Sequence, residues 1–353
     1  MPVRSGSHIQ YRPLKTTPVY DTYWRFAVNR QEIFHRRVRG ETGPWTEDPV
    51  LTAHRFTNTY RAADRVSQYL IRQVAYSGDQ SPEETVFRVL LFKLFNRIGT
   101  WELLKNAVGP LVTREFDVDR YDKVLSAAFE RGERLYSAAY IMPAASRGVK
   151  RKHRTHLELL RNMLDDALPK NLVNTTSMRE AYLLLLGFRG IGTFLAYQLV
   201  TDLNYTNVLS FSEMEFVMAG PGARSGIRKC FSDTADYSDE DIIRYVTEHQ
   251  VEEFYARGLD FEDLWGRPLQ LIDCQNLFCE VDKYARVAHP DAEGIGERTR
   301  IKQKFHPLPD PIEVWFPPKW GINNRLPALC TTNRSIQSDV REDRLQSDLA
   351  GVR

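Results

Sequence analysis

The chain has 353 residues, 42% hydrophobic and 11% aromatic, enough to fill one large core or two smaller ones. Its 48 Lys and Arg nearly balance 46 Asp and Glu, giving a formal charge of +2, so any nucleic-acid contact must come from local patches and not from a polyelectrolyte surface. The four cysteines form no CxxC pair, the histidines show no ligand spacing, and neither a leader nor a run of about 18 apolar residues occurs; the composition therefore predicts no structural metal, no membrane span and a cytoplasmic location with free thiols.

Residues 1–20 read as an N-terminal extension. Beyond them, apolar residues recurring at three and four predict helices over 21–39, 58–76, 83–97, 117–137, 155–167, 177–187, 193–203, 238–256 and 268–287, an all-α body with few strands. Within the second of these, Asn58, Arg61 and Arg65 share one face with Asp64 beside them. That face is either a buried ion-pair network or a fork of guanidiniums for phosphate or base edges. Ser81-Pro-Glu-Glu84 has the form of a capping box with proline at the first helical position, which sets a helix start near residue 82. The basic run 147–154 reads as a solvated loop or a phosphate-facing patch.

The stretch from Leu183 to Ala196 reads as two helices joined by a Gly190-Ile-Gly192 hairpin. The glycines allow a tight turn, and the amides opening the next helix at Thr193 face outward as an anion site, the way a helix-hairpin-helix element holds a DNA phosphate. An ordinary packing corner is the competing reading. Next, Gly220, Gly222, Arg224, Arg228 and Lys229 form a glycine-rich turn leading into a helix, suited to phosphate or pyrophosphate, although no Walker loop exists. In the helix near 271–284, Asp273, Asn276, Glu280 and Lys283 follow one face, and the short side chains of Asp273 and Asn276 among apolar neighbours either close a polar network or line a pocket. Residues 291–327 form a Pro-rich and basic extension, and 328–353 are polar and expected to be disordered.

Several motifs in order carry a resemblance: Arg55-Phe-Thr-Asn58 with Tyr60-Arg61 and Asp64-Arg65, Phe87 to Arg97 with Trp101-Glu102, Gly220-Pro-Gly-Ala223 with Gly226 to Phe231, and Asp273 to Cys279. Over roughly 20–290 the chain resembles the helical domain associated with 5-hydroxymethyluracil DNA kinases. That domain is grouped with the alpha-glutamyl/putrescinyl thymine pyrophosphorylases and related to helix-hairpin-helix DNA glycosylases. The resemblance implies an all-helical glycosylase-like fold and a role in thymine hypermodification, in which a nucleophile, an amine or amino acid, replaces pyrophosphate on the modified base. Compared with glycosylases, Phe194 stands where the lyase lysine would be and Ser212 where the catalytic aspartate would be.

Glu213 and Glu215 lie beside that gap, either as a general base or as helix-start residues. The implied scheme gives catalysis to Glu213, Glu215 and Asp273, and pyrophosphate binding to Gly220, Gly222, Arg224, Arg228 and Lys229. DNA binding falls to Gly190, Gly192, Thr193, Arg61 and Arg65, and the base pocket to Asn58, Gln275 and Asn276. The expected partners are DNA carrying a modified thymine and a DNA-base kinase. No cofactor is evident beyond a divalent cation accompanying pyrophosphate. A base-flipping glycosylase and a non-catalytic binding module are the alternatives.

Overall fold

The computed structural model describes residues 13–137, 151–296, 298–306 and 312–327, and fourteen α-helices account for most of them. The fold is all-α. The described residues add one antiparallel pairing of Lys15–Thr16 with Phe231–Asp233 and an isolated bridge between His54 and Lys304. The body begins inside the expected N-terminal extension, because Pro18–Val38 is already helical, with proline in its first turn and Thr17 accepting from the Val19 amide at 3.2 Å.

Most of the periodic segments are helical, and the departures have local causes. The segment 58–76 is not one helix. It breaks into a 3-10 turn at Arg61–Ala63, a short helix at Arg65–Tyr69 and a π turn at Leu70–Ala75. Short polar side chains compete with the helical ladder here: Asp64 accepts from the Asn58 amide at 2.7 Å, and Asn58 Nδ2 donates to the Ala63 carbonyl at 2.6 Å. The helix Pro82–Phe95 starts where the sequence places it, but Ser81 makes no side-chain cap, and Glu84 accepts instead from the Thr113 amide at 3.0 Å. Asn96, in the left-handed region at φ 49°, ends that helix and allows another, Ile98–Val108. The segment 238–256 divides at His249 into Asp239–Glu248, opened by a Ser238/Asp241 capping box, and Gln250–Ala256.

The closest helix packing joins Pro221–Cys230 to Leu271–Ala288. A Cβ on Gly222 would sit 2.3 Å from Cys279 Sγ, and one on Gly226 would sit 2.0 Å from the Phe278 carbonyl oxygen. These glycines, four residues apart on one face, let the two backbones approach to a distance that no side chain permits. Gly222 is therefore a packing residue inside a helix and not part of an open phosphate loop. Gly220 is also enclosed, since its Cβ would meet the Phe194 ring at 2.7 Å.

The hairpin segment forms two helices, Met178–Leu186 and Thr193–Asn204, joined by a tight turn. Gly190 lies at φ +96°, a conformation that favours glycine, and the Ile191 amide donates to the Phe188 carbonyl at 3.0 Å. Gly192 and Thr193 are exposed. No helix among the described residues is long and apolar enough to cross a membrane.

Residues 312–327 pack back on the body. The Trp315 amide donates to Gln68 Oε1 at 2.8 Å, Arg72 pairs with Glu313 at 2.7 Å, and Arg325 donates to the Trp265 carbonyl at 2.9 Å. The expected disordered tail, 328–353, and residues 147–150 of the basic run lie outside the described residues.

Gly226→Ala is expected to destabilise the fold by roughly 1–3 kcal/mol or more, because the backbone of Phe278 cannot yield as a flexible side chain would. Gly192→Ala, with nothing within 4 Å of the added carbon and an extended φ of −88°, is expected to melt with the wild type. Equal denaturant midpoints for Gly226→Ala and wild type would contradict the packing role.

Candidate functional site: a buried acid beneath a cation and aromatic stack

Arg61 is the hub of the polar interior. Its side chain, 2% exposed, makes a bidentate contact to Asp202 at 2.8 and 2.9 Å and donates through Nε to Gln198 at 3.0 Å. Lys93 reaches the same carboxylate at 3.0 Å and also donates to Asn96 Oδ1 at 2.9 Å. The paired cations hold the Asp202 carboxyl below its usual range despite burial, which by itself would raise it. The Arg61 guanidinium also lies over the Tyr205 ring at 5.5 Å. A guanidinium so enclosed is committed to the fold and cannot also meet a DNA phosphate, which corrects the DNA-binding expectation for Arg61. Arg65 is half-buried.

Beyond Tyr205 the stack continues to the C-terminal segment. Trp320 meets Tyr205 edge-on at 5.4 Å, and the Arg267 guanidinium lies over Trp320 at 3.8 Å. Arg267 in turn donates to Glu213 Oε1 at 2.7 Å. Lys319, an exposed residue, places its ammonium against the Thr206 and Leu209 carbonyls, at 2.9 and 2.6 Å. Burial pushes this ammonium down to about 8, against the opposing pull of Glu213.

Glu213 sits on a loop fastened from both sides. Asn204 closes it reciprocally with Phe211, at 2.9 and 3.0 Å, and Arg244 donates to the Met214 and Glu215 carbonyls at 2.7 and 3.0 Å. The Glu213 side chain is 6% exposed. Burial raises its pKa, while Arg267, Lys319 and Arg61 oppose the shift. The Tyr197 hydroxyl, fully buried and without a hydrogen-bond partner among the described residues, is close enough for the Glu213 charge to raise its pKa. A buried carboxylate with a raised pKa and one firm cation partner is a candidate general base.

Other expected site residues separate from this cluster. Glu215 is exposed and accepts from the Met178 amide at 3.0 Å, which caps the first hairpin helix. Asp273 spends both oxygens on backbone amides, of Arg61 at 2.8 Å and Gln270 at 3.0 Å, and forms a capping box, so its carboxylate is structural and not catalytic. Burial still pushes the Asp273 pKa up to about 7. Lys229 is buried against Asp282 at 3.1 Å, with Ser225 and Arg286 on the same carboxylate, so it is not a free cation for pyrophosphate. Arg224 and Arg228 are about half exposed and flank Asp239 at 3.7 and 3.4 Å.

Asn58 is 8% exposed and occupied with the Ala63 carbonyl, and Gln275 is 2% exposed, so neither faces an open base pocket. Asn276 is half-buried and donates to Thr57 at 3.2 Å. Asp64 accepts from the Asn58 amide, and burial raises its pKa to about 6 against the opposing charges of Arg30 and Arg55. A cleft of about 460 Å³, lined in part by Phe129, Tyr136, Lys152 and His153, borders the basic run and shares no residue with the Glu213 cluster.

Arg267, Lys319 and Tyr197 are absent from the sequence-based site. Arg267 and Lys319 lie in proline-bounded loops without periodicity, and Tyr197 reads as an ordinary core aromatic. The nearest sequence signal is the basic character of the extension 291–327.

A two-helix hairpin with its turn exposed at Gly192 and Thr193, a buried acid on the loop that follows it and an enclosing helical body define an all-helical domain with an enclosed acid–cation centre. The chain belongs to the family described as 5-hmdU DNA kinase, helical domain, whose model matches residues 17–294. It is 28% identical over 288 residues to a 5-hmdU DNA kinase of Bacillus phage SP10, an alignment covering 75% of this chain and 45% of that protein. The chain thus spans less than half the length of this relative. No solved structure matches it.

Asp202→Asn is expected to cost about 3–5 kcal/mol, because it leaves Arg61 and Lys93 buried against a neutral amide. A loss below about 1 kcal/mol in chemical denaturation would count against Arg61–Asp202 as the hub. For Asp273, carbon-13 titration of the carboxyl should give a midpoint near 7 in place of 3.8. Ionisation is suppressed in the folded chain, so this group's favourable contribution to stability is complete below pH 3.8 and is lost as pH rises through about 7.

Proposed function

We propose that the chain acts in the modification of 5-hydroxymethyluracil in DNA, as a transferase that replaces the pyrophosphate of a pyrophosphorylated base with an amine or amino acid. The observation that carries this reading is Glu213: a buried carboxylate with a raised pKa, paired with Arg267, in a chain whose family is that of 5-hmdU DNA kinase helical domains. The relative from Bacillus phage SP10 is itself named a 5-hmdU DNA kinase, which supports modified DNA as the substrate.

In this scheme the hairpin amides at Gly192 and Thr193 hold the DNA backbone, and the target base leaves the stack to reach the enclosed acid. Glu213 accepts a proton from the incoming amine as its nitrogen forms a bond to the exocyclic methylene carbon. The carbon–oxygen bond to pyrophosphate breaks, and its electron pair departs on the pyrophosphate. A divalent cation escorting that group is the cofactor the scheme admits. The family description names a kinase, and a DNA-base kinase activity would supply the pyrophosphorylated base.

Mass spectrometry of nucleosides and small products, after incubation with DNA bearing thymine, hydroxymethyluracil or its pyrophosphorylated form and candidate amines, is expected to show a new adduct together with released pyrophosphate. A free base with an abasic site would replace this reading with a glycosylase, and unchanged DNA bound selectively would replace it with a binding module. Glu213→Gln should lower turnover by about 10²–10⁴-fold with DNA binding retained. Gly192→Ala should weaken DNA binding about tenfold without a change in melting.

A further inference from the structure

The segment 312–327 lies beyond the residues matched by the family model, 17–294, yet it places an ammonium and an indole directly on the site that the matched residues build. We propose that Arg267 and Lys319 form the anion subsite of this chain, holding the phosphate-bearing arm of the modified base, with Trp320 as the residue that positions Arg267.

Three observations converge on this assignment. Of the cations expected to bind pyrophosphate, Lys229 is buried on Asp282, and the half-exposed Arg224 and Arg228 flank Asp239, apart from the Glu213 cluster. The charges of Arg267, Lys319 and Arg61 all act on the Glu213 carboxylate. Arg267 is the one in contact, and Lys319 donates to the Thr206 and Leu209 carbonyls, which bring no formal charge of their own. The Arg267 side chain is 18% exposed, and Lys319 is an exposed residue whose ammonium is turned onto the Thr206 and Leu209 carbonyls. A phosphate oxygen arriving there would gain charge-assisted contacts from a planar guanidinium already fixed by stacking, and from an ammonium on a flexible stem.

The placement suits the chemistry. Two cations within the electrostatic reach of Glu213 would stabilise charge developing on the departing oxygens while the same acid takes the nucleophile's proton. The subsite borrows the transfer reading only to name its ligand; its existence is tested without turnover. The strap that supplies Lys319 is tied down by Arg72–Glu313, Trp315 to Gln68 and Arg325 to Trp265. Its removal would strip the site of one cation and loosen the other.

Calorimetric titration of the full chain with inorganic pyrophosphate provides the test. Lys319→Met is expected to weaken binding by about tenfold or more, measured below its melting transition because the Thr206 and Leu209 carbonyls lose their donor. Lys319→Arg should restore most of it, Trp320→Ala should weaken it through Arg267, and Arg228→Ala should leave it unchanged. Wild-type chain that does not bind pyrophosphate, Lys319→Met that binds as wild type, or loss of binding in Arg228→Ala in its place would each overturn the assignment. Lys319-dependent pyrophosphate binding without turnover of modified DNA would keep the subsite and remove the transfer reading; turnover with binding indifferent to Lys319 would do the reverse.

Discussion

The bidentate contact between Arg61 and Asp202 is the constraint on which the rest of the interior is arranged. It joins the broken segment around Arg61 to the second hairpin helix, and through Lys93 it draws in the helix Pro82–Phe95. Three charges sequestered in this way are stable only as a set, since removing one leaves another uncompensated in a medium that solvates it poorly. The same guanidinium lies over Tyr205, and from there the alternation of cation and ring runs through Trp320 and Arg267 to Glu213. A continuous chain of contacts thus connects the structural ion pair to the candidate acid.

Backbone economy does the complementary work. Gly222 and Gly226 bring the helices Pro221–Cys230 and Leu271–Ala288 into direct contact, and that proximity lets Ser225 and Lys229 reach Asp282 across the interface. The glycines and basic residues that look like an anion cradle in one dimension are consumed by helix packing in three. Charge for the site comes instead from loops: Arg267 before the helix Leu271–Ala288, and Lys319 from the C-terminal segment. Loops can supply it because their direction is set by stacking and capping contacts and not by a helical period.

Much of the fold was legible because amphipathic periodicity depends on local geometry, and the chain's long helices keep it. The hairpin was legible for the same reason, with Gly190 marking the left-handed turn. Asp64, which the sequence left between a buried pair and a binding fork, accepts from the Asn58 amide. The break at 58–64 was not legible, because Asn58 and Asp64 redirect backbone bonds in a way that periodicity does not register.

For the candidate site the division is sharper. Glu213 and Glu215 stood two positions apart with equal claims, and only the fold separated them: one side chain turns inward to Arg267, the other outward to cap Met178. Asp273 carried the right residue type, but its two oxygens were taken by amides from Arg61 and Gln270, one of them distant in sequence. The sequence by itself determined the helical class, the hairpin and the family, since these rest on local spacing and on motifs in order. Tertiary structure decided which charges are spent on stability and which remain for chemistry, because burial and pairing depend on residues as far apart as Glu213 and Lys319, brought together only by folding.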